Sequence, residues 1–307
     1  MRYMKYILET HDLTKQYKKQ KAVNKVNMHV RQGDIYGFIG RNGAGKTTFL
    51  KMVSGMASVT DGEIAIYGKK GRDADEMRSR IGCLIEAPGL HPNMTAYENL
   101  KVKCMICGID QKGYIENILD IVKLADTGKK KVKNFSLGMK QRLGIALALV
   151  GEPDILLLDE PINGLDPQGI AEVRETIQRL NAERNITIII SSHILEELSK
   201  IATVYGIIHK GELIRELSHE ELLEECKERI SIRLEEPKRA LPILDSMGFK
   251  NYKAVSSDTV DVYERLDSIP DIISRFSAED IRILSIDTKT EAIEDFFLNL
   301  TGGRDNG

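Results

Sequence analysis

An α/β fold with a parallel sheet covered by helices is what this sequence predicts, and three observations predict it. The runs ILLLDEP and NITIIISSH are continuous aliphatic stretches, the pattern of strands buried on both faces. The stretch IAEVRETIQRLNAER between them reads as helix, so strand and helix alternate. The third observation is GDIYGFIG, a short apolar strand entering a glycine-rich turn, from which KTTFLKMVSG continues as helix. Open folds of this kind place ligands at the carboxyl edge of the sheet. The adjacent acids Asp159 and Glu160, at the tip of ILLLDEP, fall at that edge.

In chain order, residues 1–217 read as one domain and residues 218–307 as a second. In the first, TDGEIAIYG alternates Ile64 and Ile66 with polar positions after an Asp-Gly pair, which predicts an antiparallel hairpin strand. A helical subdomain is expected over about 90–150. ELSHEELLEECKER predicts a charged amphipathic helix between the domains. The second domain has a strand pattern at ISIRLEE, then a helix from Pro237 to Met247 stopped by Gly248. A hairpin in KAVSSDTVDVYE turns at Ser257-Asp258, and a short helix near IPDIISRF and a strand at IRILSID follow. That order, β-α-β-β-α-β, matches the ferredoxin-like split motif. An amphipathic helix, EAIEDFFLNL, closes the chain before the tail TGGRDNG, and no catalytic constellation is visible in this part.

Bulk properties exclude several function classes. Hydrophobic content of 42% and charged content of 29% over 307 residues are those of a soluble globular protein. A net charge of −2 argues against a dedicated nucleic-acid binder, so no nucleic-acid partner is expected. No apolar run approaches the roughly 18–20 residues of a membrane span, and MRYMKYILETHDLTKQYKK has no secretory apolar region. Four cysteines read as reduced cytosolic thiols, with the Cys104–Cys107 pair taken as semi-buried rather than metal-binding. The run KKKVK reads as a solvated basic loop. The expected setting is the cytoplasm, with any membrane contact made through a partner.

The segment GRNGAGKTT, Gly40 to Thr48, fits G-x-x-x-x-G-K-[ST] between a strand and a helix. Gly40, Gly43 and Gly45 let the backbone curl so that its N–H groups, those of Asn42, Ala44 and Thr48 included, converge on phosphate oxygens. The helix beginning near Lys46 adds the positive end of its dipole. Lys46 is a point charge for the β- and γ-phosphates, and Thr47 offers a hydroxyl to Mg²⁺. With a phosphate cradle on the same sheet, Asp159 is the acid expected to hold Mg²⁺. Glu160 is the candidate to polarise an attacking water.

These residues resemble the ATP-binding cassette family, the ATPase subunits of ABC transporters. The segment FSLGMKQRLGIALAL is similar to the family's L-S-G-G-Q signature: Ser136 and Gly138 match, while Leu137 and Met139 depart from it. The resemblance implies that Ser136 and the Gly138 N–H contact the γ-phosphate held by an opposing subunit. It also implies that Asn163 to Asp166 form a loop along the dimer interface, with Asp166 near nucleotide. His193 resembles the switch histidine at the γ-phosphate, and Tyr17 the aromatic that stacks on adenine. Glu86 stands where the family usually has Gln, in the loop that senses Mg²⁺ and water and leads into the helical subdomain. A carboxylate there can accept from water or approach Mg²⁺ but, ionised, cannot donate as an amide does. Glu86 with SLGMKQR is similar to cassettes serving bacitracin- and lantibiotic-type export or self-protection.

The implied protein is a P-loop ABC cassette with antiparallel β and helical subdomains, working as an ATP-sandwiched homodimer beneath an integral membrane permease on the inner face of the membrane. A second reading is of a different class: a cassette ATPase acting on ribosomes, DNA or an assembly complex. Ribosome-associated relatives usually carry two cassettes, and DNA-repair relatives a long coiled coil between phosphate loop and signature. Here that interval is only about 90 residues and has no sustained heptads. A regulatory module that holds ATP without hydrolysing it is the third reading, against which Glu160 and His193 both count.

Overall fold

The computed structural model describes residues 6–289 and 293–301. The first five residues, the start of EAIEDFFLNL and the tail from Gly302 therefore lie outside the described residues. The chain opens with β1 (Tyr6–Tyr17), β2 (Gln20–Val26), β3 (His29–Arg31) and β4 (Ile35–Ile39), then α1 (Lys46–Val53). Next come β5 (Asp61–Ile66), α2 (Arg72–Met77) and β6 (Ile81–Leu84), followed by the helical stretch α3 (Ala96–Ile106), α4 (Tyr114–Ile121) and α5 (Leu137–Leu149). Strand and helix then alternate through β7 (Ile155–Asp159), α6 (Pro167–Arg184), β8 (Thr187–Ser192), α7 (Leu195–Ser199), β9 (Val204–His209), β10 (Glu212–Ser218) and α8 (His219–Glu225). The last elements are β11 (Arg229–Leu234), α9 (Pro237–Ser246), β12 (Tyr252–Ala254), β13 (Thr259–Val262), α10 (Ile269–Ala278), β14 (Ile283–Lys289) and α11 (Ile293–Leu300).

Two compact units divide at His219/Glu220. In the first, a six-stranded sheet runs β10-β9-β4-β8-β7-β6, parallel except for the β9–β10 pair. Every residue of β4, β7 and β8 is buried, because both faces of a parallel sheet are covered and favour apolar or small side chains. The three central strands β4, β8 and β7 are immediate neighbours. Their carboxyl ends therefore lead side by side into the phosphate loop, His193 and the two acids.

A second, antiparallel sheet pairs β1 with β2, β3 and β5. Strand β5 is antiparallel, but its partner is β1, some fifty residues earlier (Glu9 opposite Ala65), not a hairpin neighbour. The Asp61-Gly62 pair thus starts a strand rather than turning a local hairpin. Side chains from both sheets share one core, with Leu8, Val23 and Ile66 meeting Phe38, Phe49 and Leu157.

The helical stretch is tied down by polar contacts as well as apolar ones. Thr95 and Glu98 form a capping box at the head of α3, each side chain bonded to the other's backbone N–H. Arg142, on α5, donates to the carbonyls of Val122 (2.9 Å) and Lys123 (2.7 Å) at the end of α4 and pairs with Glu172 on α6 at 2.8 Å. One nearly buried guanidinium thereby joins three helices.

The second unit has its own core of Ile230, Ile232, Leu244, Phe249, Val260 and Phe276 among others. Its sheet runs β12-β13-β11-β14 with every neighbouring pair antiparallel, so two β-α-β units interleave their strands. The helix read at ELSHEELLEECKER is shorter in the structure: Glu216 to Ser218 extend β10, and α8 covers only His219–Glu225. Glu216 is held there because its carboxylate accepts from the Tyr36 hydroxyl at 2.7 Å and the His29 backbone N–H at 2.9 Å.

Arg142→Met is expected to lower unfolding free energy by about 2–3 kcal/mol, since buried carbonyls lose a charged donor. Glu172→Gln, whose site is part-exposed, is expected to cost under about 1 kcal/mol. Urea unfolding at neutral pH compares the two.

Candidate functional site

The loop after β4 forms a cradle because its glycines permit it. Gly43 and Gly45 have φ of 80° and 109°, where a side chain is strained. A Cβ on Gly45 would stand 2.4 Å from the Ala22 carbonyl, and one on Gly40 would stand 2.6 Å from that of Ile208. Gly40 is therefore required for close approach, Gly43 for conformation and Gly45 for both. A cavity of about 390 Å³ opens over this loop, lined by Asn42, Gly43, Ala44, Gly45, Lys46, Thr47 and Thr48. Helix α1 starts at Lys46, so its unpaired N–H groups face the same space.

Lys46 folds back across the loop. Its ammonium donates to the Gly40 carbonyl at 2.6 Å and lies 3.1 Å from Glu160 Oε1, with the side chain only 6% exposed. Glu160 Oε2 accepts from His193 at 2.9 Å. A carboxylate can only accept, so the ring donates from Nδ1. Thr47 donates its hydroxyl to Asp159 Oδ2 at 2.7 Å, and Ser191 donates to Asp159 Oδ1 at 2.5 Å. The structure thus gathers Lys46, Thr47, Asp159, Glu160 and His193 into one connected cluster.

The Thr47 and Asp159 oxygens suit a hard cation such as Mg²⁺, which takes one or two protein oxygens and completes its octahedron with water and substrate phosphate. Among the described residues no group of three or more His, Cys, Asp or Glu could hold a metal. A cation here would depend on the bound phosphates.

Other predicted residues lie apart from the cradle. Glu86 follows β6 with φ 62° and pairs with Lys51 at 2.5 Å, raising the Lys51 ammonium above its ordinary range. With Asp159, Glu160, Leu137, Lys140 and Asn163, it lines a second cavity of about 600 Å³. Ser136 caps α5 by accepting from the Met139 N–H, and Gly138 is buried against Gly169. Asp166 caps α6 by accepting from the Gly169 N–H at 3.1 Å. None of Ser136, Gly138 and Asp166 lines the cradle cavity. Tyr17 ends β1 about half exposed, with the Lys15 ammonium 5.0 Å from its ring centroid, and it too lies off the cavity lining. Cys104 is buried, which pushes its thiol pKa up, consistent with an inert core residue.

Sequence reasoning missed two features. Ser191, whose hydroxyl bridges Asp159 and the Glu160 N–H, reads in isolation as an ordinary strand serine. Lys210 and Gly211, in the β9–β10 turn, also line the cradle, and the Gly211 N–H donates to the Ala44 carbonyl at 3.0 Å. The signal for Ser191 was its place two residues before His193 at the end of a central strand. Nothing local marked Lys210.

Known proteins resemble this chain along its length. A family profile described as ABC transporter matches residues 23–163. The bacitracin transport ATP-binding protein BcrA of Bacillus licheniformis is 43% identical over 302 residues, 98% of this chain and 99% of its own. The lantibiotic transport ATP-binding protein SrtF of Streptococcus pyogenes is 43% identical over 214 residues, 70% of this chain and 92% of its own. A solved dimeric bacterial ABC transporter cassette superposes with a TM-score of 0.62 at 25% identity, covering 69% of this chain and 98% of that one.

Gly45→Ala is expected to weaken binding of inorganic tripolyphosphate at least about tenfold, or about 1.4 kcal/mol. Gly68→Ala, also at positive φ but with open space around it and outside the cradle, is expected to leave it unchanged. Isothermal titration calorimetry distinguishes them.

Proposed function

This chain belongs to the ABC transporter family as an ATP-binding, ATP-hydrolysing subunit, and from that premise we propose that it powers export of a peptide antibiotic through a separate integral membrane permease. ATP-binding subunits of transporters pair with such permeases. The observation that supports a bacitracin- or lantibiotic-like cargo is 43% identity to BcrA maintained over 98% of this chain. Among the described residues no helix is long and apolar enough to cross a membrane.

In this reading the loop N–H groups from Gly43 to Thr48 receive the phosphates of ATP. Lys46 leaves Glu160 for the β- and γ-phosphate oxygens, which together carry more negative charge than one carboxylate. Glu160, freed from its cation, then accepts the proton of the attacking water, and His193 keeps the carboxylate aimed. Thr47 and Asp159 would hold Mg²⁺, which when bound would neutralise charge building on the phosphate oxygens. Ser136 and Gly138, absent from their own chain's cradle, suit a role on the nucleotide of a second copy. Their hydroxyl and helix-start N–H groups form an anion site. Two copies would then enclose two ATP molecules, with Tyr17 against adenine and Asp166 at the interface.

Glu160→Gln is expected to reduce steady-state phosphate release at least about a hundredfold, the contribution of a positioned base. Glu86→Gln retains most turnover, because an amide oxygen can still accept from Lys51. Equal losses would refute the division of roles. Recovery of the tagged chain from detergent-solubilised membranes tests the transport reading: a stoichiometric multi-span partner supports it, and a soluble partner alone overturns it.

A further inference from the structure

We infer that Ser191 is a positioning residue for hydrolysis, orienting Asp159 and Glu160 together through one hydroxyl. The inference rests on the roles proposed above for those two acids. Ser191 lies on β8 directly opposite Asp159 on β7 and is fully buried. A serine hydroxyl has one proton to give and two lone pairs. Here the proton goes to Asp159 Oδ1 at 2.5 Å, and a lone pair accepts the Glu160 backbone N–H at 3.0 Å.

Both bonds bear on chemistry. With Oδ1 held by Ser191, Asp159 turns Oδ2 to Thr47, so the carboxylate has a single orientation toward the phosphate loop. Glu160 sits at φ 49°, a left-handed conformation that a residue with a Cβ adopts only when its surroundings hold it. The Ser191 hydroxyl helps hold that peptide, and from it the Glu160 side chain reaches both Lys46 and His193. The neighbouring Ser192 bonds elsewhere, accepting from the Ile194 N–H at 2.9 Å. Alternation along the strand thus gives the two serines separate tasks.

Replacing Ser191 leaves the ladder intact, because the Glu160 N–H keeps the Ser191 backbone carbonyl at 3.1 Å as a partner. What is lost is the hydroxyl bridge. Ser191→Ala is therefore expected to fold, to lower kcat about 10- to 100-fold and to change the half-saturating ATP concentration by less than about twofold. Ser191→Cys, similar in volume but a weak donor, behaves like the alanine variant, whereas Ser191→Thr recovers most of the rate. Metal-free affinity for a fluorescent ATP analogue stays unchanged, while Mn²⁺ affinity of the nucleotide-bound protein, read by electron paramagnetic resonance, falls about tenfold.

Unchanged kcat in Ser191→Ala, a loss of ATP affinity matching the loss of kcat, or wild-type behaviour of Ser191→Cys overturns the inference. Glu160→Gln measured alongside separates the two levels of the account. If it retains turnover, the role given to Glu160 fails and takes this inference with it. If it is inactive while Ser191→Ala matches wild type, only the role of Ser191 falls.

Discussion

Two adjacent carboxylates stand at the end of a strand inside the sheet, and the site is organised around giving every one of their oxygens a partner. Asp159 is 6% exposed, and a buried ion left without partners costs several kcal/mol. Each of the four oxygens accordingly has its own partner: Ser191 and Thr47 on Asp159, Lys46 and His193 on Glu160. Those partners come from the phosphate loop and the end of β8. Only a strand order that sets β8 between β4 and β7 brings them within hydrogen-bond reach. The fold and the chemistry depend on the same adjacency.

In the mechanism we propose, that arrangement also gives the nucleotide a specific task. Before ATP arrives, the Lys46 ammonium and the Glu160 carboxylate neutralise each other at 3.1 Å. On that proposal phosphate competes for the cation, and its binding leaves Glu160 with His193 as its partner beside the reacting centre. The group that recognises the substrate and the group that activates water are thus linked through a contact that one must surrender to the other.

Legibility in the sequence followed the range of the interaction that decides each feature. The phosphate loop was readable because its glycines, lysine and threonine act within nine consecutive residues, and the acids because an aliphatic run must end where the sheet ends. Strand β5 was readable as antiparallel, but its partner β1 was not, since pairing across fifty residues leaves no local trace. The end of β10 was misread as helix because Glu216 belongs to a charged, helix-favouring run. Its hydrogen bonds to Tyr36 and His29 override that propensity. Ser191 was missed for a similar reason: its place two residues before His193 marked it only weakly, and the carboxylate it serves lies across the ladder. The positions of Ser136 and Gly138 outside their own cradle fit a family logic in which one copy completes the site of another.

The central claim is that ATP joins two copies of this chain, and molar mass in solution tests it most directly. Light scattering on Glu160→Gln, with turnover suppressed, should give one chain mass without nucleotide and twice that mass with saturating ATP and Mg²⁺. Adding Ser136→Glu to the same chain should prevent the doubling, because a carboxylate would then face the partner's phosphate. A single-chain mass at saturating ATP, with binding of the nucleotide confirmed in the same sample, would contradict the account.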